Sequence, residues 1–233
     1  MKARWRIGGG WSRDELQREL EWAATLRRNF DADPDDLPHD AGWFGYGSES
    51  VLAHAHPGPP IGGGAFMAGR RCLECYGFSD PRIVRAYFDD DADLLERRMI
   101  LELRAFRIIR FLGGVVVGAV RDASTETSTT FGFRYDTLEG HIERGSEWFL
   151  LSKDHETGMI RFRISARWLP GDFPNWWSRV GFHLVRRHYQ MQWHRRAHEI
   201  LAAEVRGAMQ AGERLMAGPP KVTFEFERRT QYA

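Results

Sequence analysis

The chain lacks the features that mark several large classes of protein. It has two cysteines in 233 residues, Cys72 and Cys75, too few for a disulfide framework, so a reducing cytoplasm is the expected compartment. No run reaches the roughly 18 apolar residues of a membrane helix. Arg110 and the Gly113-Gly114 pair interrupt the nearest stretch, 108–120, and no secretion signal opens the chain. We expect a soluble protein with no membrane partner.

An excess of charge of one sign is also missing. Lys and Arg number 33 against 32 Asp and Glu, a formal net charge of +1. No global positive field would hold a phosphate backbone, which argues against nucleic acid as a partner. The glycine-rich segments 8–10 and 62–64 lack the spacing of a dinucleotide loop or a P-loop, and no Gly-x-Ser-x-Gly elbow occurs. The sequence therefore predicts no cofactor.

Aromatic residues, in contrast, are abundant. Fifteen Phe, nine Trp and six Tyr make up 13% of the chain. Large flat side chains at this density either pack together in a core or line a cavity for an apolar ligand. Composition alone leaves both interpretations open.

Hydrophobic periodicity divides the chain into a mixed beginning, a strand-rich middle and a helical end. Ser12 and Glu15 form a capping-box pattern that predicts a helix over 13–28. Asp80 and Pro81 predict a short helix over 79–88. Alternation and long helical spacing then predict the remaining elements: strands at 43–53, 98–110, 114–122, 128–137, 146–153 and 158–168, a helix at 175–209, and an edge strand at 222–227.

This order of elements predicts one α+β domain over residues 1–233. Its parts are an N-terminal region, 1–97, a region of strands and long helix, 98–210, and an extra strand, 221–228. Short connections favour antiparallel hairpins, and the long helix must cover the apolar face of the sheet. We expect a curved antiparallel sheet gripping one long C-terminal helix, the helix-grip or START-like arrangement, with a gap between them that commonly serves as a ligand cavity.

The densest cluster of ionisable residues lies between two predicted strands, in the segment 131–149. About eight residues separate the strands, where a hairpin needs roughly two to five. The flexible backbones of Gly140 and Gly145 let this loop fold back on itself. We expect the fold-back to bring Glu139, His141 and Glu143 to one place.

The same segment resembles the signature of an uncharacterised family of bacteria and plants, domain of unknown function 1990, whose pattern is close to Phe-x-Tyr-Gly-Thr-Leu-Pro-Gly-His-Pro-Glu-x-Gly-Glu-Glu-x-Phe. The resemblance covers about residues 98–200 and implies kinship with the helix-grip superfamily of lipid-transfer, pollen-allergen-like and polyketide-cyclase proteins, which includes carriers and enzymes. The chain departs from the pattern at Asp136, Glu139, Ile142 and Ser146. It matches at Phe133, Tyr135, Thr137, Leu138, Gly140, His141, Glu143, Gly145, Glu147 and Phe149.

His141 with Glu143 or Glu139 is a candidate acid-base pair at a cavity mouth, because histidine titrates near neutrality and burial raises the pKa of glutamate. Tyr135 is a candidate donor to a carbonyl or enolate oxygen, which would suit cyclisation, dehydration or hydrolysis. Two alternatives stay open: the same side chains brace the loop, or they bind a ligand without chemistry. The candidate ligand contacts are Thr137, Arg144, Glu147, Trp168, Trp177 and Tyr189.

Two further patterns have simpler interpretations. Cys72 and Cys75 have the spacing of a zinc knuckle, and His54 and His56 would complete four ligands. We favour two unrelated buried thiols, since on a strand the cysteines would face opposite sides, and predict no metal site. The histidines of the last helix lack a third ligand or adjacent glutamate and are assigned surface and core roles; they are His183, His188, His194 and His198.

Our leading hypothesis is a protein that binds a small apolar or aromatic molecule between its long helix and its sheet, with acid-base chemistry by the 139–147 loop as an added option. The competing hypothesis is a non-catalytic structural or interaction module whose core is filled by aromatic side chains. The volume of the cavity discriminates between them. The sequence carries no signal for an oligomeric state.

Overall fold

A computed structural model describes residues 4–31, 43–105, 108–170, 176–209 and 218–226, with no account of the side chains of 176–187. The elements in chain order are β1 (Arg4–Ile7), α1 (Arg13–Ala23), β2 (Phe44–His54), α2 (Ala65–Glu74), β3 (Val84–Tyr87), β4 (Arg98–Ala105), β5 (Ile109–Ser124), β6 (Ser128–Thr137), β7 (Glu143–Asp154), β8 (Met159–Pro170), α3 (Trp176–Gly207) and β9 (Thr223–Phe226).

The strands form one curved, open antiparallel sheet in the order β3-β4-β5-β6-β7-β8-β2-β9, and β1 pairs with β5 beside this path. Neighbours from β3 to β8 follow one another in sequence, as expected of strands joined by short turns. The N-terminal strand β2 closes the order by pairing with β8, and β9 docks on β2. The last strand therefore lies on an edge, as predicted.

One face of the sheet packs against α3. On β8, Ile160, Phe162 and Ile164 are buried while the intervening Arg161 and Arg163 are exposed, so the predicted alternation is confirmed. The residues of α3 in the same core recur every four positions, at Trp193, Ala197, Leu201 and Val205. The predicted α+β fold, a curved antiparallel sheet gripping a long C-terminal helix, is confirmed.

The opposite face of β4 and β5 packs against α1. Leu16 and Ala23 of the helix share a second core with Ile100 and Val116, while their strand neighbours Leu101 and Val115 face the first core. Two buried faces explain the apolar run over 108–120, since a strand covered on both sides needs apolar residues throughout. None of the helices in the described ranges has the length and apolar character that crossing a membrane requires.

Several predicted boundaries are wrong. The helix predicted over 79–88 is a turn followed by β3, because Val84 pairs with Leu103 of β4 and this pairing overrides the local capping signal of Asp80. The helix predicted to reach residue 28 ends at Ala23, and β1 and α2 were not predicted. Because Cys72 lies within α2, the strand argument about the two cysteines does not apply.

Strand β7 pairs with its two neighbours over different lengths at its N-terminal end. Pairing of β7 with β6 ends at Ser146, opposite Asp136. Pairing of β7 with β8 continues to Glu143, opposite Pro170. The chain from Thr137 to Gly145 therefore leaves β6 while its last three residues are still held by β8.

Candidate functional site

A cavity of about 130 Å³ lies between α3 and the sheet. Its apolar walls come from Ile83, Val84, Leu101, Leu103, Phe111 and Ile142, and its other side carries aromatic and ionisable side chains. A smaller space of about 30 Å³ adjoins it and shares Tyr46, Tyr135, His141, Glu143 and Glu147. The shared residues form a polar end to an otherwise apolar cavity.

Glu147 is the centre of this polar end. Tyr135 of β6 lies directly opposite Glu147 of β7, Glu147 opposite Ala166 of β8, and Ala166 opposite Tyr46 of β2. Residues directly opposite one another project from the same face of a sheet. Tyr135 donates a hydrogen bond to Oε2 of Glu147, and Tyr46 donates to Oε1 at 3.2 Å. Tyr46 reaches across β8 because the intervening side chain is only a methyl group.

Two histidines of α3 continue the polar network behind Glu147. Nε2 of His194 lies 3.5 Å from Oε1 of Glu147, an ion-pair distance rather than a good hydrogen bond. The Ser48 hydroxyl lies 2.6 Å from Nδ1 of His194 and 2.8 Å from Nε2 of His198, and the Ser50 hydroxyl lies 2.7 Å from Nδ1 of His198. A continuous chain of buried polar groups thus runs from Ser50 to Glu147.

The spacing of this chain follows from regular backbone geometry. Four residues of a helix rise about 6.0 Å, and two residues of a strand rise about 6.7 Å. His194 and His198 on α3 therefore match Ser48 and Ser50 on β2. Both imidazoles are fully buried, and burial, together with the neighbouring His194, lowers the pKa of His198 to about 3.

The proton positions in the chain depend on the tautomers of the two rings. The neutral ring of His198 has one donor and one acceptor nitrogen. In the arrangement that directs an Nε2 proton of His194 toward the carboxylate of Glu147, Ser48 donates to Nδ1 of His194, Nε2 of His198 donates to Ser48, and Ser50 donates to Nδ1 of His198.

Tyr76 presents a buried hydroxyl to the same cavity. Among the described residues, its Oη has no hydrogen-bond partner. Burial, with a smaller contribution from the charge of Glu147, holds the pKa of Tyr76 well above its usual range. Tyr76 therefore contributes a neutral phenol to the lining of the cavity.

The backbone of Tyr76 is in the left-handed region, with φ of 56°. It follows α2 in a Schellman motif, since its N–H donates to Leu73 O at 3.0 Å and that of Gly77 donates to Cys72 O at 2.8 Å. Glycine is the usual residue at this position. A tyrosine there adopts a backbone conformation that costs about 1–2 kcal/mol, an outlier that points to a role for its side chain.

His141 lines the cavity, but its contacts differ from those of the predicted acid-base pair. Its Nδ1 lies 3.1 Å from both the backbone nitrogen and the backbone oxygen of Glu143. The ring lies against Gly113 of β5, where a Cβ atom would come 2.3 Å from Cδ2. Burial lowers the pKa of His141, so the ring is neutral at pH 7.

The structure brings some predicted site residues together and separates others. Tyr135, His141, Glu143, Glu147 and Tyr189 line the main cavity, and Thr137 and Trp168 line the smaller space. Glu139 and Arg144 line a different cleft, formed with 26–31. The side chain of Trp177 lies outside the described residues.

Thr137 has a bracing contact. Its hydroxyl accepts a hydrogen bond from the backbone N–H of Gly145 at 2.8 Å and lies 2.6 Å from Oδ1 of Asn29. It ties the two ends of the loop to each other and to the segment after α1. Glu139 likewise accepts a long hydrogen bond, 3.4 Å, from the backbone of Arg27.

Sequence reasoning did not identify Tyr46, Ser48, Ser50 or Tyr76 as site residues, and it gave His194 and His198 general roles. The signal for the network was present: polar residues at alternate positions of a strand otherwise facing a core, and two histidines one helical turn apart. Each pattern alone is common in proteins. Only the pairing of β2 beneath α3 makes them one network.

The cysteine motif has no metal-like arrangement. Cys72 is buried on α2 but Cys75 is exposed, so the prediction of two buried thiols is wrong for Cys75, which follows the last residue of the helix. The described part of the chain contains no group of three or more His, Cys, Asp or Glu side chains placed to hold a metal ion.

Comparisons with known proteins bear on the family. No curated protein is significantly similar to the chain in sequence. The solved structures that are similar to the chain include two at low sequence identity. One is the crystal structure of Ara h 8.0201, at 14% identity and a TM-score of 0.41, covering 71% of this chain and 99% of that chain. The other is an uncharacterized protein from Rhizobium leguminosarum, at 9% identity and a TM-score of 0.33, covering 71% and 98%. The family described as Domain of unknown function (DUF1990) matches residues 29–201, and the chain belongs to that family.

Proposed function

We propose that this protein binds a small molecule with an apolar or aromatic body and one polar group in the cavity between α3 and the sheet. The observation that carries the proposal is Tyr76, whose unpaired buried hydroxyl points to a polar group supplied from outside the described chain. Binding without chemistry is sufficient to account for this geometry.

The size of the cavity limits the ligand. A volume of about 130 Å³ is close to that of an engineered apolar cavity of about 150 Å³ that binds benzene. The expected ligand body is therefore about one ring in size. Each apolar Å² that it removes from water contributes about 25 cal/mol, so the walls supply most of the affinity.

The polar end supplies orientation. An unpaired buried hydroxyl costs about 1–3 kcal/mol, and a ligand group that pairs with Tyr76 recovers part of this cost. Glu147 and Tyr135 lie beside it in the same cavity. A ligand with its polar group toward these residues and its ring toward Leu101 and Leu103 satisfies both ends.

The competing interpretation, a core filled by aromatic side chains, is less well supported. Phe78, Phe133, Phe149 and Phe162 do pack together in the main core. The cavity remains beside this packed region, between Trp193 and the strands. Aromatic packing and an open cavity therefore coexist in one sheet-helix interface.

Proton transfer to the bound molecule is a second candidate function, favoured by the chain of groups behind Glu147. A carboxylate held in place by the groups behind it can take up a proton from a bound molecule. In this form of the hypothesis Glu147 is the base and Tyr135 is the donor. His141 and Glu143 line the cavity, and Glu139 has no direct part.

Binding of one-ring probes tests the proposal. Phenol and benzyl alcohol should raise the melting temperature of the protein and change the fluorescence of Trp193. Leu103→Trp, which fills the cavity, should abolish both responses, whereas Leu95→Trp, at a position 52% exposed, should retain them. If neither probe binds, or if Leu103→Trp binds them as the parent protein does, the proposal is wrong.

A further inference from the structure

We infer that the ligand of this cavity is a small organic cation, an ammonium ion whose charge pairs with Glu147 inside a ring of aromatic side chains. This inference rests on the proposed function and deepens it by naming the chemical class of the ligand. It depends on three observations: the missing counter-charge of Glu147, the charges of the other lining groups, and the aromatic walls.

The missing counter-charge of Glu147 becomes clear when it is compared with the other buried carboxylates. In the described ranges there are five buried carboxylates: Glu19, Asp80, Glu102, Asp136 and Glu147. Four of them have arginine partners. Glu19 pairs with Arg4, Asp80 with Arg82 and Arg196, Glu102 with Arg104 and Arg110, and Asp136 with Arg134 and Arg28.

Glu147 is the exception. It is 5% exposed, and its partners in the described chain are the hydroxyls of Tyr46 and Tyr135 and the imidazole of His194. No described lysine or arginine lies within ion-pair distance of it. Burying a carboxylate without a full counter-charge is unfavourable, and this carboxylate faces a cavity. A cationic ligand would complete the pair that the other four acids already have.

The other ionisable groups that line the cavity do not neutralise the negative charge of Glu147. Glu143 also lines the cavity and brings no positive charge to Glu147. Arg104 also borders the cavity, and its buried Nε has no hydrogen-bond partner among the described residues. Its charge is paired on the other face of the sheet, where Nη2 donates to Glu102 at 2.9 Å. His141 is a buried imidazole held by the backbone of Glu143. The electrostatic field in the cavity therefore favours a cation.

The aromatic walls of the cavity also favour a cationic ligand. Four tyrosines and one tryptophan border the cavity: Tyr46, Tyr76, Tyr135, Tyr189 and Trp193. The faces of aromatic rings are negative and attract ammonium groups, and a cage of such rings is a recurring way to hold them. Tyr76 Oη also accepts a hydrogen bond from a primary ammonium without losing its own proton, which gives its hydroxyl a partner.

Three one-ring probes of matched size test the inference: benzylammonium, benzyl alcohol and benzoate, measured by titration calorimetry on the full chain at pH 7. We expect benzylammonium to bind at least tenfold more tightly than benzyl alcohol, and benzoate to bind more weakly than either. If benzyl alcohol or benzoate binds as tightly as benzylammonium, the cation inference is wrong and the proposed function stands. If none of the three binds, the proposed function itself fails, and the inference with it.

A conservative variant tests whether the preference for a cationic probe comes from Glu147. Glu147→Gln keeps the shape of the side chain and should reduce benzylammonium affinity at least tenfold while changing benzyl alcohol affinity less than threefold. Glu49→Gln is the matched control, because Glu49 lies on the same strand as Tyr46 but alternates to the other face, near Arg161. Equal losses for the two probes in Glu147→Gln would contradict an ionic role for Glu147.

Discussion

The hydroxyl of Ser48 on β2 lies 2.6 Å from Nδ1 of His194 on α3, although 146 residues separate them in sequence. The same hydroxyl lies 2.8 Å from Nε2 of His198. A hydroxyl has one proton and two lone pairs, so it can bridge the two rings by accepting from one and donating to the other. Ser48 therefore bridges β2 to α3 and links His198 to His194, whose Nε2 lies 3.5 Å from Oε1 of Glu147.

Replacing Ser48 tests this connection. Ser48→Ala leaves a nitrogen of each buried imidazole without its partner, so we expect the free energy of unfolding to fall by about 1–3 kcal/mol, measured by urea denaturation. Ser165→Ala is the control, since Ser165 is half-buried on β8 and alternates with Ile164, which lies in the core shared with α3. Equal stability losses in the two variants would show that the Ser48 bridge contributes nothing specific.

Local patterns were enough to predict the parts of the fold whose burial repeats regularly. The alternation from Ile160 to Ile164 defines β8 because a two-residue period has a single structural interpretation. The helix α3 and the edge strand β9 follow from similar evidence. Strand β3 could not be predicted in this way, because its four residues form a strand only by pairing with β4. A local capping pattern does not reveal that partner.

The candidate site was predictable to a smaller extent. The segment around His141 and Glu147 attracts attention as a cluster of ionisable residues, and part of it lines the cavity. The partners of Glu147 were not predictable, since Tyr46 reaches it from a strand two positions away in the sheet and His194 from a helix. Tyr76 gives no sequence signal, because nothing in Cys-Tyr-Gly shows that the tyrosine takes a position usually held by glycine.

Burial of His198 predicts a pH dependence of stability. Its pKa is about 3 in the folded protein and about 6.5 when unfolded, so between these values the unfolded chain binds more protons. The free energy of unfolding should therefore fall as pH decreases from 7 to 5, with a slope approaching about 1.4 kcal/mol per pH unit per histidine. His141, whose pKa is also lowered by burial, adds a contribution of the same sign.

Chemical denaturation at pH 7 and pH 5 measures this slope. The His198→Gln variant should show a smaller loss between the two pH values than the parent chain, whatever its absolute stability. His188→Gln, at an exposed position of the same helix, should keep the parent slope. A His198→Gln slope equal to that of the parent would mean that His198 does not titrate in this way.

The contact between His141 and Gly113 makes a second stability prediction. A Cβ atom at residue 113 would lie 2.3 Å from Cδ2 of His141, so Gly113→Ala should destabilise the protein by about 1–3 kcal/mol. Gly114→Ala is the neighbouring control, since its nearest contact, Leu138 Cδ1, is at 3.4 Å. Both are measured by urea denaturation.

A double variant shows whether the clash is the cause. His141→Ala removes the ring that a residue 113 methyl group would meet, so Gly113→Ala should cost less in the His141→Ala background than in the parent. Independent sites would give additive losses within about 0.5 kcal/mol. Additive losses here would place the strain of Gly113→Ala elsewhere.

Tyr76→Phe separates stability from binding. Removing a buried hydroxyl without a described partner should leave the free energy of unfolding of the ligand-free protein unchanged or raise it by about 1 kcal/mol. Affinity for a probe that pairs with this hydroxyl should fall at the same time. Tyr135→Phe is the comparison, because its hydroxyl donates to Glu147 and its loss should reduce stability. A fall in stability in Tyr76→Phe would show that the hydroxyl already has a partner in the folded protein.

The two cysteines should differ sharply in reactivity. Burial, and to a smaller degree Cys75, raise the pKa of Cys72 to about 12, and the thiolate is the reactive form of cysteine. With each pKa unit worth a factor of ten, Cys72 should react about a thousandfold more slowly at pH 8 than a thiol of ordinary pKa near 9. A chromogenic disulfide reagent should therefore label one thiol per folded chain and two in urea. Cys75→Ser should abolish the fast phase and Cys72→Ser should retain it, whereas fast labelling in Cys75→Ser would show that α2 opens readily from the core.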